Sequence, residues 1–344
     1  MINNQLRSSV QSLCQKISKD RLIIQGPGGN VSWKTDTHLW IKLSGTWIED
    51  TKNKDIFRSI SIEELNILIE KKQFYLTSEI LNKIKFKPSI EVMLHAIIKK
   101  KFVFHLHMVN VVANLINNPN KLISYLKNIK IESLIIPYRK PGEDLAEEVY
   151  NGLLKNPKVQ ILLLENHGVV LYSDMIEEID NHINILENYS KTQIKPINKY
   201  FLPSKTFSLP DGTKYNSIDD DELNFLVADE YILGYLSKLW PICPDHLVFL
   251  GPSPVIYDSL DELKRDFVNK INPILIFIKK TGIFVNKKFF TKIHIIQLRC
   301  FFDIVSRLDN YNNVQVISDD EIMRLINWDA EKYRMKISNI NKTD

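Results

Sequence analysis

The chain has 344 residues, of which 44% are hydrophobic and 25% charged, and its formal net charge is +4. This composition is typical of a globular protein of about two domains, and it excludes the disordered, collagen-like and low-complexity classes. Basic residues lie in short scattered runs such as residues 99–101, so charge gives no support to nucleic-acid binding.

The first part of the chain is predicted to alternate helices and strands. Helical spacing over residues 6–19 predicts an opening helix, which the glycine turn GPGGN and the short strands NVSWK and HLWIKLSG follow. Ser61 and Glu64 form a capping-box pattern, which predicts a helix over residues 61–72. From residue 87 the order continues as helix SIEVMLHAIIKKK, strand FVFHLHMV, helix NVVANLI, a break at Pro119 and strand IESLIIPY.

After the next helix, EDLAEEVYNGLLK, come a core strand VQILLLEN, a His-Gly turn, a strand VVLY and a long helix over about residues 175–193. This alternation predicts a layered α/β domain over residues 1–195. Residues 196–214 contain three prolines and little periodicity, which is typical of a linker. Residues 215–344 are predicted to form a smaller α/β extension with strands HLVFLG and PVIYD, a helix DELKRDFVNKI, a hairpin of PILIFI and GIFVN, and a long helix through residue 308.

Neither the cysteines nor the apolar runs indicate a secreted or membrane protein. Cys14, Cys243 and Cys300 stand far apart, so no disulfide framework or thiolate metal site is predicted. The longest apolar runs fall far short of the ~18 residues that a membrane span needs. We therefore expect a cytoplasmic protein.

A pair of histidines in FVFHLHMV carries the clearest chemical pattern. Side chains two apart on a strand point to the same face about 7 Å apart, so His105 and His107 can share one metal ion. The alternative is a chance pair on a half-buried strand. His167 adds a third imidazole where a core strand meets a glycine turn, and three such ligands suit a catalytic zinc site with an open position; a purely structural turn is the alternative.

Glu91 and His95 stand near a predicted helix start in PSIEVMLH. The helix dipole stabilises a carboxylate at this position, which would explain Glu91 without a function. Alternatively, the carboxylate can serve as a general base beside a metal ion. For His95, a structural role is preferred over a metal-binding one. Asp245 and His246 could form a second polar site, but a structural role is preferred for them. For Arg139 and Lys140, a solvated basic turn is preferred over an anion site.

Two small polar turns are candidates for a phosphate site. The GPGGN turn contains Gly29 and Asn30, and the IKLSG strand ends at Ser44 and Gly45. Neither turn is a Walker loop, and the glycine turn precedes a strand instead of opening a helix, so no nicotinamide-binding fingerprint is present.

Six segments in chain order resemble the class II aldolase/adducin family. They are GPGGNVSWK, HLWIKLSG, PSIEVMLHA, FHLHMV, PYRKPGEDLAEE and LLLENHGVV. PSIE, PYRKPG, LENHG and CPDH look most like the aldolase portion of bifunctional rhamnulose-1-phosphate aldolase/alcohol dehydrogenases. The dehydrogenase half of that subgroup has no counterpart here, so we expect no redox activity. Leu106 and Met108 depart from the family's His-Thr-His-Pro strand, and Ile90 stands where many members have a second phosphate-binding serine.

The resemblance implies a class II aldolase-like α/β/α domain with a central β-sheet, plus the α/β extension. It implies that Zn²⁺, or another divalent cation such as Mn²⁺, is bound by His105, His107 and His167 and that Glu91 is the catalytic acid/base. It also implies phosphate binding by Gly29, Asn30, Ser44, Gly45 and Ser89. The activity implied is an aldolase-type lyase that breaks or forms a carbon–carbon bond in a sugar or sugar phosphate through a metal-stabilised enediolate.

Other activities fit the same resemblance. An epimerase, a dehydratase or a decarboxylase would use the same metal-stabilised chemistry, and an adducin-like protein would use the fold for assembly without catalysis. A homo-oligomer, with a tetramer as the family's common form, is also expected by analogy. Fold resemblance does not choose among these reactions.

Overall fold

The computed structural model describes residues 2–191, 199–266 and 273–329. Seven strands of its first part form one sheet: β1 (Asn30–Lys34), β2 (His38–Lys42), β3 (Phe57–Ser61), β4 (Phe102–Leu106), β5 (Ser133–Ile136), β6 (Ile161–Leu164) and β7 (Gly168–Ser173). Their spatial order is β3-β2-β1-β4-β7-β6-β5. Only β5 and β6 pair in parallel among these strands, and the other neighbours are antiparallel.

Helices cover both faces of this sheet. They are α1 (Ile2–Ile17), α2 (Ile62–Glu70), α3 (Ser78–Ile84), α4 (Val92–Ile97), α5 (Val109–Asn117), α6 (Pro119–Asn128), α7 (Glu143–Lys155) and α8 (Ile176–Lys191). Successive side chains of β4 point to opposite faces of the sheet and so belong to two separate cores. Phe104 packs with residues of α1, α5 and α6, whereas its neighbour Val103 packs with residues of α2, α4 and α7. The expected α/β/α layering is confirmed.

The extension has a second, five-stranded sheet. Its strands are β8 (Thr206–Ser208), β9 (Lys214–Ser217), β10 (Ile256–Tyr257), β11 (Leu275–Ile278) and β12 (Gly282–Asn286), in the order β10-β11-β12-β9-β8. Its helices are α9 (Phe225–Ala228), α10 (Glu230–Leu239), α11 (Pro244–Leu250), α12 (Leu260–Asp266), α13 (Lys292–Val305) and α14 (Asp319–Ile326). The hairpin predicted from PILIFI and GIFVN is confirmed as the antiparallel pair β11 and β12.

Helix α5 joins the extension to the first sheet. Val111 and Leu115 pack into the core against that sheet, whereas Val112 and Ile116 pack into the core of the extension. These pairs lie on two adjoining apolar faces of the helix, and Asn110, Asn114 and Asn117 share a third, polar face. The extension and the α/β/α unit therefore share a continuous buried interface.

The segment HLVFLG was predicted to be a strand, and this is wrong: it lies in helix α11. Short apolar runs do not distinguish a buried strand from a buried helix. Pro244 occupies the first helical turn, where its missing N–H costs nothing, and Cys243 before it is extended. Because every residue of α11 is buried, its sequence shows no amphipathic period.

Two connections also differ from expectation. A break leading into a strand was expected at Pro119, but this residue begins helix α6. It lies in the first turn of the helix, where proline is favoured. The predicted linker contributes the strand β8, whose pairing with β9 makes residues 206–217 part of the second sheet. The predicted domain boundary near residue 195 and the start of the linker lie outside the described residues. No described helix combines the length and the hydropathy needed to cross a membrane.

Candidate metal centre

Three histidines converge at the ends of the central strands of the seven-stranded sheet. His105 lies in β4, His107 follows the end of that strand, and His167 occupies the turn between β6 and β7. The antiparallel pairing of β4 with β7 brings these segments together, because Leu106 lies opposite Val169. The three imidazole centroids lie 4.7 to 5.0 Å apart.

The turn that carries His167 depends on two unusual backbone positions. Asn166 adopts a left-handed φ of 53°, which asparagine tolerates better than most residues. A Cβ atom on Gly168 would lie 2.3 Å from the carbonyl oxygen of Leu106, so only glycine allows β7 to begin this close to β4. The short turn holds His167 against the other two histidines.

The nitrogen geometry fits one divalent cation. The Nε2 atoms of His105 and His107 lie 3.0 Å apart, and one ring nitrogen from each histidine falls within a group no wider than 4.8 Å. Two nitrogens bound to a tetrahedral zinc ion at about 2.0–2.1 Å would lie about 3.3 Å apart. Burial holds the pKa of His167 well below its ordinary value, so its imidazole is neutral and has a lone pair to donate.

Glu91 lies beside the histidines as the N-cap residue of α4. Its Oε2 is 3.7 Å from His105 Nε2, and its Oε1 is 3.8 Å from His167 Nε2. The residue is 3% exposed, and Oε1 has no hydrogen-bond partner among the described residues. A buried carboxylate oxygen costs free energy unless a cation or a donor meets it. Its position beside the imidazoles of His105 and His167 therefore fits a metal ion or a substrate proton at this point.

A buried chain of hydrogen bonds holds the other oxygen of Glu91. The Asn30 side-chain amide donates to Glu91 Oε2 at 2.6 Å, and Asn30 Oδ1 accepts from His95 Nε2. His95 Nδ1 accepts from the Ser32 hydroxyl at 2.7 Å. Burial keeps the pKa of His95 well below its ordinary value, so a neutral ring with one N–H satisfies every donor and acceptor in the chain. His95 is therefore structural, the preferred alternative from its sequence.

The candidate phosphate residues line one small cleft with Glu91, His107 and His167. The cleft encloses about 30 Å³ and contains all five of them: Gly29, Asn30, Ser44, Gly45 and Ser89. Ser89 Oγ also accepts a hydrogen bond from the Glu91 backbone N–H at 3.3 Å. Substrate-binding and acid/base candidates thus share one wall of the site.

Lys42 also lines this cleft and was missed by the sequence analysis. The residue is 2% exposed, and its Nζ donates to the carbonyl oxygens of Thr46 at 2.6 Å and Pro27 at 3.3 Å. The available signal was its position at the end of β2, two residues before the Ser44–Gly45 turn. The abundance of lysine in this sequence hid that signal.

Asp245 is the second residue whose position was not anticipated. It belongs to α11 of the extension, yet its Oδ2 lies 3.3 Å from His107 Nδ1. The structural role assigned to it from the sequence gave no reason to expect it beside the histidines, whereas His246 lies in the apolar core against the Phe301 ring. Arg139 pairs with Glu148 and Lys140 lies over the Trp328 ring, consistent with a basic surface turn.

Comparisons with known proteins identify the family. The family model described as "Class II Aldolase and Adducin N-terminal domain" matches residues 8–194. A curated relative from Bacillus subtilis (strain 168), "Uncharacterized oxidoreductase YuxG", is 24% identical over 305 residues, covering 74% of this chain and 43% of the relative. The chain thus spans less than half of that relative's length.

Solved structures are similar to part of the chain. The N-terminal class II aldolase domain of a conserved protein from Thermoplasma acidophilum is 26% identical, with a TM-score of 0.44, over 54% of this chain and 92% of that one. The L-fuculose-1-phosphate aldolase of Thermus thermophilus is 16% identical, with a TM-score of 0.38, over 53% and 90%. Because the family model matches more than half of its length, the chain belongs to the class II aldolase and adducin N-terminal domain family.

Proposed function

We propose that this protein is a divalent-metal-dependent aldolase-type lyase acting on a sugar or sugar phosphate. The observation that carries the proposal is the buried carboxylate of Glu91 facing three converging imidazoles in a cleft. His105, His107 and His167 would hold the ion, with zinc or manganese as the expected metal. Three imidazole nitrogens leave a coordination position open, as catalytic sites require.

When bound, the ion would supply Lewis-acid stabilisation of the negative charge that develops on the substrate's carbonyl oxygen. Glu91 would move the proton. In the cleavage direction it accepts the hydroxyl proton as the carbon–carbon bond breaks and the aldehyde forms, and it returns a proton to the carbon of the carbonyl fragment that lost this bond. The hydrogen bond from Asn30 fixes Oε2, so that Oε1 is the oxygen presented to the substrate.

The same cleft would hold a phosphate group. Gly29 and Gly45 keep the lining of the cleft small, and Ser44 and Ser89 provide hydroxyls. The Lys42 Nζ would add a positive charge. Ile90 removes one hydroxyl that many relatives have, so an unphosphorylated sugar is the second substrate class to test.

Catalysis is favoured over an adducin-like assembly role by the burial of Glu91. Assembly alone gives no reason to bury a carboxylate oxygen without a protein partner beside three histidines. An epimerase, a dehydratase or a decarboxylase would use the same histidines and glutamate. Dehydration and decarboxylation break other substrate bonds, and an epimerase returns an isomer of its substrate without releasing an aldehyde.

The test is a product screen with metal-loaded protein on ketoses, their 1- and 5-phosphates and the corresponding acids. The proposal predicts release of an aldehyde from at least one ketose or ketose phosphate, and loss of that release in Glu91→Gln. Epimerisation, dehydration or decarboxylation without aldehyde release would overturn the aldolase assignment. No turnover of any substrate by a metal-loaded protein would favour the assembly role.

A further inference from the structure

We propose that Asp245, from the extension, is a positioning residue for His107 and that the extension is thereby part of the metal centre. This inference rests on the proposed metal site but not on the aldolase reaction. It assigns a function to the smaller unit that the family match over residues 8–194 does not include.

The contact lies on the correct side of the imidazole ring. Asp245 Oδ2 is 3.3 Å from His107 Nδ1, and both side chains are largely buried, at 5% and 11% exposed. The opposite ring nitrogen, Nε2, is the one that lies 3.0 Å from His105 Nε2. A carboxylate beside Nδ1 favours the tautomer that carries its proton there, which leaves the Nε2 lone pair for the metal ion.

A second, independent contact requires the same tautomer. The backbone N–H of Gly29 donates to His107 Nε2 at 3.4 Å, so this nitrogen acts as an acceptor even without an ion. A neutral imidazole with an accepting Nε2 has its hydrogen on Nδ1. The only described acidic group in ion-pair contact with that nitrogen is Asp245.

Gly28 leaves room for the contact. A Cβ atom at this position would lie 2.8 Å from His107 Nδ1 and 2.9 Å from Asp245 Oδ2. Any side chain would therefore press on both partners at once. The φ of Gly28 is not in the left-handed region, so glycine is required here for space; a Cβ atom would also lie 2.9 Å from the Gln25 carbonyl oxygen.

The extension also fixes the turn that carries His167. The side-chain amide of Asn166 donates to the carbonyl oxygens of Ile242 at 3.1 Å and Gln315 at 3.0 Å. Ile242 directly precedes the Cys243 cap of α11, and the buried apolar residues of that helix belong to the core of the extension. The extension thus contacts both segments that present His107 and His167.

Loss of such a partner to a metal-bound histidine typically weakens metal affinity by about 10- to 100-fold. The experiment measures the zinc dissociation constant of tag-free protein by competition with a chromophoric chelator. The variants are Asp245→Ala, Gly28→Ala and a control, Asp229→Ala. Asp229 caps α10 in the same extension, and its side chain accepts from the backbone N–H groups of Tyr231 and Ile232.

We expect Asp245→Ala and Gly28→Ala to bind zinc about 10- to 100-fold more weakly than the wild type, with Asp229→Ala unchanged. Nitrogen-15 chemical shifts of the His107 ring report the tautomer directly. They should show Nδ1 protonated in the wild type and a mixture of tautomers in Asp245→Ala. If Asp245→Ala does not fold, Asp245→Asn gives the test with the size of the side chain kept and its negative charge removed.

Equal zinc affinity in wild type and Asp245→Ala would overturn the inference, as would an equal loss in Asp229→Ala. A wild type that binds zinc tightly but cleaves no sugar would contradict the proposed reaction and leave this inference standing. A wild type that binds no divalent ion would refute both.

Discussion

The Asn30 side-chain amide donates a 2.6 Å hydrogen bond to Glu91 Oε2, inside a site where both residues are nearly inaccessible to solvent. Asn30 is therefore more than a candidate phosphate residue. Through His95 and Ser32, its carbonyl oxygen belongs to a buried chain that fixes the direction of its amide. The orientation of the proposed acid/base is thus determined by β1 and α4 together.

Replacing Asn30 tests this positioning role. Asn30→Ala removes the donor to Glu91 and leaves His95 Nε2 without its acceptor, so we expect a lower kcat and a loss of about 1–3 kcal/mol in stability. Ser32→Ala is the matched control, because it leaves the bond between Asn30 and Glu91 in place. Turnover measured with thermal unfolding separates the two effects. A Ser32→Ala variant that loses as much kcat as Asn30→Ala would argue against a specific role for Asn30.

Glu91→Gln tests the acid/base itself. The substitution keeps the shape of the side chain and its acceptor for the Asn30 amide but cannot take up a proton. We expect kcat to fall by about 10²- to 10⁴-fold on the substrate found by the product screen, with metal content retained. Elemental analysis of the same preparation is the control. Undiminished turnover would remove Glu91 from its proposed role.

Lys42→Met tests the phosphate wall of the cleft. The methionine fills a similar volume but removes the charged Nζ and its two bonds to carbonyl oxygens. We expect KM for a phosphorylated substrate to rise at least tenfold, which corresponds to about 1.4 kcal/mol of binding, with little change for its unphosphorylated analogue. An equal change for both substrates would mean that Lys42 supports the fold of the cleft and does not contact phosphate.

His294 gives a prediction for pH that is independent of the metal centre. Burial lowers the pKa of His294 to about 4, and its Nδ1 accepts from the Thr291 backbone N–H at 2.9 Å. Below pH 6.5 the unfolded chain takes up a proton that the folded chain does not, so stability falls as the pH drops toward 4. The expected loss between pH 7 and pH 5 is about 2 kcal/mol.

His294→Asn keeps a side-chain acceptor but cannot titrate. Its free energy of unfolding, measured by urea denaturation at both pH values, should therefore fall by about 2 kcal/mol less than that of the wild type over this interval. Identical pH dependence in the two proteins would show that the histidine titrates in the same way when folded and unfolded.

The sequence predicted the parts of the site that depend on local spacing. His105 and His107 are two residues apart, and His167 follows a core strand at a glycine turn. These positions predicted a shared metal ion without knowledge of the fold. The antiparallel pairing of β4 with β7 then brings the two segments together. The layered sheet could be predicted for a similar reason, since strand and helix periods alternate clearly through its sequence.

Contacts that depend on tertiary packing could not be predicted. Asp245 lies far along the chain from His107. It belongs to the buried helix α11, part of which was predicted to be a strand, so its contact with His107 could not be predicted. The proposed role of Asn30 in β1 depends on its hydrogen bond with His95 in α4, which forms only in the folded protein. The burial of Lys42 in the cleft could not be predicted, because nothing in the sequence distinguishes it from the many other lysines.

Metal content per chain is the most direct test of the account, measured by elemental analysis on tag-free wild type and on His105→Ala. We predict about one zinc, manganese or other divalent ion per wild-type chain and almost none in the variant, because His105 Nε2 lies 3.0 Å from His107 Nε2 and 3.7 Å from Glu91 Oε2. A wild type without metal after reconstitution with divalent ions, or a variant that keeps its ion, would contradict the central claim that these histidines form a metal site.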